Sequence, residues 1–124
     1  MCKTLRFEIV SGVNEGYFHD NKYSSVVNFT ASLWQKIARK EFETSGVYIS
    51  AVIKSSKTVY HEAWGCPKGG EETVVITGVA NKEFVDNIDK WKNTVIKLAK
   101  QLKKEFKQST LTCEFLETEL HYFK

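Results

Sequence analysis

One segment decides the fold of this 124-residue chain: residues 84–106, which read FVDNIDKWKNTVIKLAKQLKKEF. Its apolar residues recur every three or four positions, the spacing that places side chains on one face of a helix. They are Phe84, Ile88, Trp91, Val95, Leu98, Leu102 and Phe106. With Asn81 as an N-cap, the pattern predicts an amphipathic helix that runs to about Lys107 and covers one flank of a sheet.

Three segments predict strands of that sheet. Residues 5–9 alternate between apolar and more polar side chains, as a strand with one buried face does. Residues 73–79 are rich in β-branched side chains and predict a central strand. Residues 111–120 alternate until the apolar phase shifts at Leu116, which predicts a long final strand with a bulge.

A second helix is predicted near the middle of the chain. Thr30 is a suitable N-cap, and Phe29 before it is placed to pack on Trp34 as a hydrophobic staple. Gly46 can adopt the left-handed conformation that ends many helices, so the helix should stop near Thr44.

A hairpin should follow that helix. Residues 47–53 alternate as a strand does, a polar break lies at residues 55–57, and a β-prone run continues from 58 to 64. The glycine-containing loop at residues 65–70 should then turn the chain into the strand at 73–79.

This order of elements predicts an α+β fold of the ferredoxin-like type, β-α-β-β-α-β, with an antiparallel sheet and two helices on one face. Residues 1–124 are expected to form a single domain, since the chain has no linker and no repeat. Enzymes, ligand-binding domains and oligomers all use this fold, so it does not select a function.

Composition favours a cytoplasmic protein. No stretch approaches the roughly 20 apolar residues that cross a bilayer, so no membrane partner is expected. Cys2, Cys66 and Cys113 are odd in number and widely spaced, which is typical of free thiols in a reducing compartment.

Specific nucleic-acid binding is not expected. The net charge of +3 is modest, and the central strand at 73–79 lacks the aromatic residues on which an RNA-binding sheet stacks bases. The lysines of the helix at 84–106 crowd towards its end, as on a solvated face that complements the helix dipole.

The densest group of reactive side chains is YHEAWGC at residues 60–66. We take this region as the candidate ligand-binding site, with these residues as its members: His61, Glu62, Trp64, Cys66 and Lys68. On a strand, His61 and Glu62 would face opposite sides of the sheet, which argues against a simple acid-base pair. His19 in the long first loop is a further candidate. The spacing of cysteines and histidines predicts neither a metal site nor a cofactor.

Two functional hypotheses follow. The first is a non-catalytic domain that binds a small ligand or a protein, or forms a homodimer through sheet edges, since no local set of residues has the geometry of catalysis. The alternative is a small enzyme with a pocket near residues 60–71, with His61, Glu62 or Cys66 as its reactive group.

Overall fold

The computed structural model describes residues 2–13 and 25–124, and the site expected at His19 lies outside them. Its strands are β1 (Cys2–Gly12), β2 (Val52–Thr58), β3 (Glu71–Val79) and β4 (Leu111–Leu120). Its α-helices are α1 (Val26–Ser45) and α2 (Ile88–Glu105). The predicted β-α-β-β-α-β order is confirmed.

The four strands form one antiparallel sheet in the order β2-β3-β1-β4. Both helices pack on the same face, because the fully buried ring of Phe7 in β1 contacts Trp34 of α1 and Trp91 of α2. The three rings form the centre of the core, and Ile9 and Ile76 extend it along the sheet. No helix in the described residues is both long and apolar enough to cross a membrane.

Helix α2 buries the residues that the periodicity indicated, but it starts later than predicted. Its N-cap is Asn87, whose side-chain oxygen accepts a hydrogen bond from the backbone N–H of Lys90 at 3.0 Å. Asn81 instead accepts from the N–H of Glu83 in a separate turn. Phe84 lies in that turn and is 69% exposed, so the periodic pattern extended one turn beyond the helix.

Helix α1 starts earlier than predicted. Its N-cap is Ser25, whose Oγ accepts from the N–H of Asn28 at 3.1 Å. Thr30 lies within the first turns and is fully buried, and among the described residues its hydroxyl has no hydrogen-bond partner. The predicted end is correct, because Gly46 takes the left-handed conformation with φ of 79°.

We expect Thr30→Val to raise the free energy of unfolding by about 1 kcal/mol, because it removes a buried hydroxyl that is not hydrogen-bonded. Ser25→Ala should lower it by about 1 kcal/mol, because it removes the cap. Urea denaturation of both variants measures the two effects. A destabilised Thr30→Val variant would instead support Thr30 as the cap.

Strand β2 lies further along the chain than predicted. Residues 47–51 are not in a strand, and the expected polar break at 55–57 lies inside β2. The alternation at 47–51 reflects packing beneath α1: Ile49 is buried there, and its carbonyl accepts a hydrogen bond from Trp34 Nε1 at 3.0 Å. That carbonyl is therefore paired with a helix side chain and not with a neighbouring strand.

Strand β4 pairs with β1 residue by residue from Leu111 to Leu120, so the predicted bulge is absent from it. The apolar phase shift has a different cause. Phe115 lies opposite Phe7 on the helix-covered face, whereas Leu116 lies opposite Arg6 on the other face and is exposed. The sequence pattern therefore marks a change of face and not an extra residue.

Candidate active site

We call the face of the sheet away from the helices the open face. It carries a cluster of polar side chains at the end where β3 begins. Strand register places alternate residues there, including Gly12 opposite Thr73 and Thr58 opposite Glu71. Thr73 is buried, and its hydroxyl lies 2.7 Å from that of Ser56 and 3.0 Å from that of Thr58. The hydroxyl network holds the end of the β2–β3 hairpin in one arrangement.

A hydroxyl–carboxylate pair lies next to this network. The Tyr60 hydroxyl donates a 2.8 Å hydrogen bond to Glu71 Oε1. Tyr60 lies two residues beyond Thr58, the strand partner of Glu71, so hairpin pairing brings the two side chains together. The hydrogen bond to Glu71, followed by burial, raises the pKa of Tyr60 above its usual 10.0. Tyr60 is therefore a neutral donor that fixes the carboxylate.

The other oxygen of Glu71 faces Gly12. A Cβ atom built on Gly12 would collide with Glu71 Oε2 and would lie 2.7 Å from Gln108 Oε1. Because Gly12 has no side chain, the polar ends of Glu71 and Gln108, which are distant in the sequence, can both lie over it. The Gln108 side chain is held by its amide, which donates to the carbonyl of Phe106 at 3.2 Å. Gly12, Glu71 and Gln108 form a small polar cradle at the edge of the open face.

The candidates at residues 61–64 lie in a turn and not in a strand. Glu62–Trp64 form a 3₁₀ turn, and His61 caps it by accepting a hydrogen bond at Nδ1 from the N–H of Ala63, at 2.9 Å. Glu62 is exposed in the turn. The strand argument against an acid-base pair therefore does not apply, and the structure brings His61 against Trp64 instead, with ring centroids 5.5 Å apart.

Cys66 and Lys68 lie in the loop that follows. Cys66 is a buried free thiol whose Sγ accepts from the N–H of Tyr60 at 3.5 Å and donates to the carbonyl of Pro67 at 3.4 Å. These contacts anchor the loop against the end of β2. Lys68 is exposed at the loop tip. In the described residues, no cluster of three or more His, Cys, Asp or Glu is arranged to hold a metal.

Sequence patterns did not select Tyr60, Glu71, Gly12 or Gln108 as site residues. One signal was present: Tyr60 and Glu71 lie on either side of the loop at residues 61–70, so a hairpin brings them near each other, although the register pairs Glu71 with Thr58. The cradle cannot be predicted without the order of the strands in the sheet, because it brings together residues at the ends of β1, β3 and α2.

A large cleft lies elsewhere. It has a volume of about 730 Å³ and is lined by exposed aromatic rings, Phe42, Tyr48 and Phe84, with Asp86 beside them. It reaches Val79, which is eight residues along β3 from Glu71 and thus about 26 Å away at the usual strand rise. We favour the Tyr60–Glu71 pair as the active site, because there a half-buried carboxylate is fixed by a neighbouring donor and lies beside a second acceptor oxygen, Gln108 Oε1.

Comparison with known proteins gives a family and a fold. A family model described as SAM lyase matches residues 2–124. A search of curated proteins found no match.

Two solved structures resemble the chain. A phage SAM lyase in complex with S-methyl-5'-thioadenosine superposes with a TM-score of 0.61 at 21% identity, over 92% of this chain and 81% of that one. A phage SAM lyase in the apo state gives a TM-score of 0.60 at 20% identity, over 93% and 81%. At this level of identity, the likeness shows a shared fold.

The family match overturns the first functional hypothesis. A non-catalytic domain does not agree with a match of an enzyme family over residues 2–124. The alternative of a small enzyme is the better one. The reason for the error is that the polar groups of the candidate site come from separate segments, so no local motif revealed them.

Proposed function

The chain belongs to the SAM lyase family, and on that premise we propose that it cleaves S-adenosylmethionine to S-methyl-5'-thioadenosine, with its reactive centre at Tyr60 and Glu71. The observation that carries the proposal is the family match over residues 2–124. The phage enzyme of the same fold, solved with S-methyl-5'-thioadenosine, supports the choice of ligand. We place the activity in the cytoplasm, in keeping with the free thiols of Cys66 and Cys113.

The reaction breaks the bond between the sulfonium sulfur and the γ-carbon of the methionine part. The electron pair of that bond moves to sulfur, so the sulfonium becomes the neutral thioether of S-methyl-5'-thioadenosine. The four-carbon fragment leaves as a lactone if its own carboxylate attacks the γ-carbon. It leaves as an unsaturated amino acid if a base removes a proton from the β-carbon.

Glu71 is suited to hold the α-ammonium group of the substrate. A carboxylate placed at the sulfonium would stabilise the charge that the reaction removes, which favours the ground state over the transition state. The ammonium charge does not change when the carbon–sulfur bond breaks, so binding it does not slow the reaction. With Oε1 engaged by Tyr60, Oε2 and Gln108 Oε1 both lie over Gly12, and we place the ammonium group against these two acceptor oxygens.

Incubation of the protein with S-adenosylmethionine tests the proposal. Liquid chromatography should show S-methyl-5'-thioadenosine formed in proportion to enzyme, with one equivalent of a four-carbon product. The mass of the second product distinguishes the lactone from the unsaturated acid. If neither product forms while the folded protein is present, the proposed function is wrong.

We expect Tyr60→Phe to lower kcat/KM for S-methyl-5'-thioadenosine formation about tenfold, because it removes one hydrogen bond to a charged group. The ring remains, so the fold should be unchanged. The kcat/KM of the wild-type protein should fall at alkaline pH as the substrate α-ammonium group loses its proton, at about pH 8 for an ordinary α-amino group. Tyr60 should not cause that fall, because the hydrogen bond to Glu71 raises the pKa of Tyr60 above its usual 10.0. A Tyr60→Phe variant with the full wild-type rate would remove Tyr60 from the mechanism.

A further inference from the structure

Trp64 is exposed to an unusual degree for its residue type. Tryptophan buries most of its large apolar surface in folded proteins. Trp34 and Trp91 follow this rule and are 4% and 2% exposed, whereas Trp64 is 76% exposed. The indole therefore presents an apolar ring to solvent beside the candidate active site.

The turn that carries Trp64 is rigidly held. The N–H of Trp64 donates to the carbonyl of His61 at 2.9 Å, and the N–H of Gly65 donates to that of Glu62 at 3.0 Å. Gly65 takes a φ of 100°, which favours glycine and closes the turn. The residue after Gly65 is the buried Cys66, whose Sγ accepts a hydrogen bond from the backbone N–H of Tyr60. The ring is thus presented on a fixed turn.

A second ring extends the surface. The His61 imidazole packs beside the indole with an interplanar angle of 38°. Its Nδ1 accepts the N–H of Ala63, which fixes the orientation of the imidazole. Together, His61 and Trp64 form a two-ring surface, here called the aromatic platform.

We infer that the aromatic platform stacks the adenine ring of S-adenosylmethionine and of its product, with Trp64 as the main contact. The inference rests on the proposed function. Trp64 is four residues from Tyr60, so the chain separates them by at most about 14 Å. The platform therefore lies in the same hairpin loop as the Tyr60–Glu71 pair, and in our proposal the amino-acid end of the molecule extends from the platform to Glu71. Base stacking on an aromatic side chain depends on the π-face and needs no enclosed pocket.

Fluorescence gives a selective test, because Trp64 is the exposed tryptophan among three. Titration with S-methyl-5'-thioadenosine should quench the long-wavelength part of the emission with saturation, while the emission of buried Trp34 and Trp91 stays constant. Trp64→Ala should lose the quenching. Quenching that depends on protein concentration and not on S-methyl-5'-thioadenosine would show that a second copy covers the ring, and would overturn the inference.

Kinetics of the same variants give an independent readout. Trp64→Ala should raise KM for S-adenosylmethionine about tenfold and leave kcat within about twofold, as expected for lost stacking. Trp64→Phe keeps a ring and should recover most of the affinity. Phe123→Ala removes another exposed aromatic residue, outside the turn, and serves as the matched control.

The outcomes separate the two proposals. If the wild-type protein forms S-methyl-5'-thioadenosine and Trp64→Ala keeps the wild-type KM, the platform inference is wrong and the proposed function stands. If the wild-type protein forms no product, the proposed function is wrong, and the fluorescence titration still decides whether Trp64 binds adenine.

Discussion

Glu71→Gln should lower kcat/KM for S-methyl-5'-thioadenosine formation about a hundredfold. Glutamine has nearly the same shape as glutamate but lacks its charge, so it cannot neutralise the substrate ammonium group. A hydrogen bond between charged groups contributes about 1.5–3 kcal/mol, and because the ammonium charge does not change during the reaction, its loss should raise KM and leave kcat nearly unchanged. Tyr60 can still donate to the amide oxygen, so the local structure should persist. Product formation under saturating and subsaturating S-adenosylmethionine measures the effect on kcat and KM.

Glu72→Gln is the matched control. Glu72 is the next residue in β3 and points to the other side of the sheet, where it pairs with Lys57 at 3.1 Å. Both partners are partly exposed, and such pairs contribute only about 0–1 kcal/mol to stability. We expect this variant to keep its activity.

Asp86→Asn tests the alternative location in the large cleft. If Asp86→Asn abolishes product formation while Glu71→Gln does not, the reactive centre lies in that cleft and not at the Tyr60–Glu71 pair.

The fold follows from sequence patterns wherever one periodicity decides the structure. Five of the seven residues chosen by helical spacing in 84–106 are buried: Trp91, Val95, Leu98, Leu102 and Phe106. The errors lie where a local pattern has two physical causes. Alternation at 47–51 arises from packing under α1, where Ile49 is buried, and a phase shift at Leu116 arises from a change of face.

The site was less predictable because its geometry depends on strand register. The local density of reactive groups predicted a site at residues 60–66. Tyr60 and the aromatic platform lie in this segment. Glu71, Gly12 and Gln108 join them only because β3 lies between β2 and β1 and because α2 ends near the same edge. A single sequence does not contain that pairing in any local spacing.

Gly12→Ala should lower the rate of product formation at least about tenfold and change the free energy of unfolding by less than about 1 kcal/mol. The new methyl group would meet Glu71 Oε2 and Gln108 Oε1, which are the far ends of flexible side chains. Both can swing aside at little cost to the fold, and alanine is more favourable than glycine within a strand. The Glu71 carboxylate then leaves the position over Gly12 in which the hydrogen bond from Tyr60 holds it. Steady-state kinetics and urea denaturation of the same preparation measure both effects.

Gly78→Ala is the contrasting variant, because we expect it to lower stability. A Cβ atom there would lie 3.0 Å from the ring of buried Phe7 and would press on the backbone carbonyl of Ser50, neither of which can move freely. Overpacking of this kind costs about 1–3 kcal/mol of stability. Gly12→Ala should therefore lower the rate and leave the free energy of unfolding nearly unchanged. Gly78→Ala should lower the free energy of unfolding without a direct effect on the site. If Gly12→Ala remains folded and keeps its full activity, the cradle around Glu71 is not the active site, and if it unfolds, the prediction of unchanged stability is wrong.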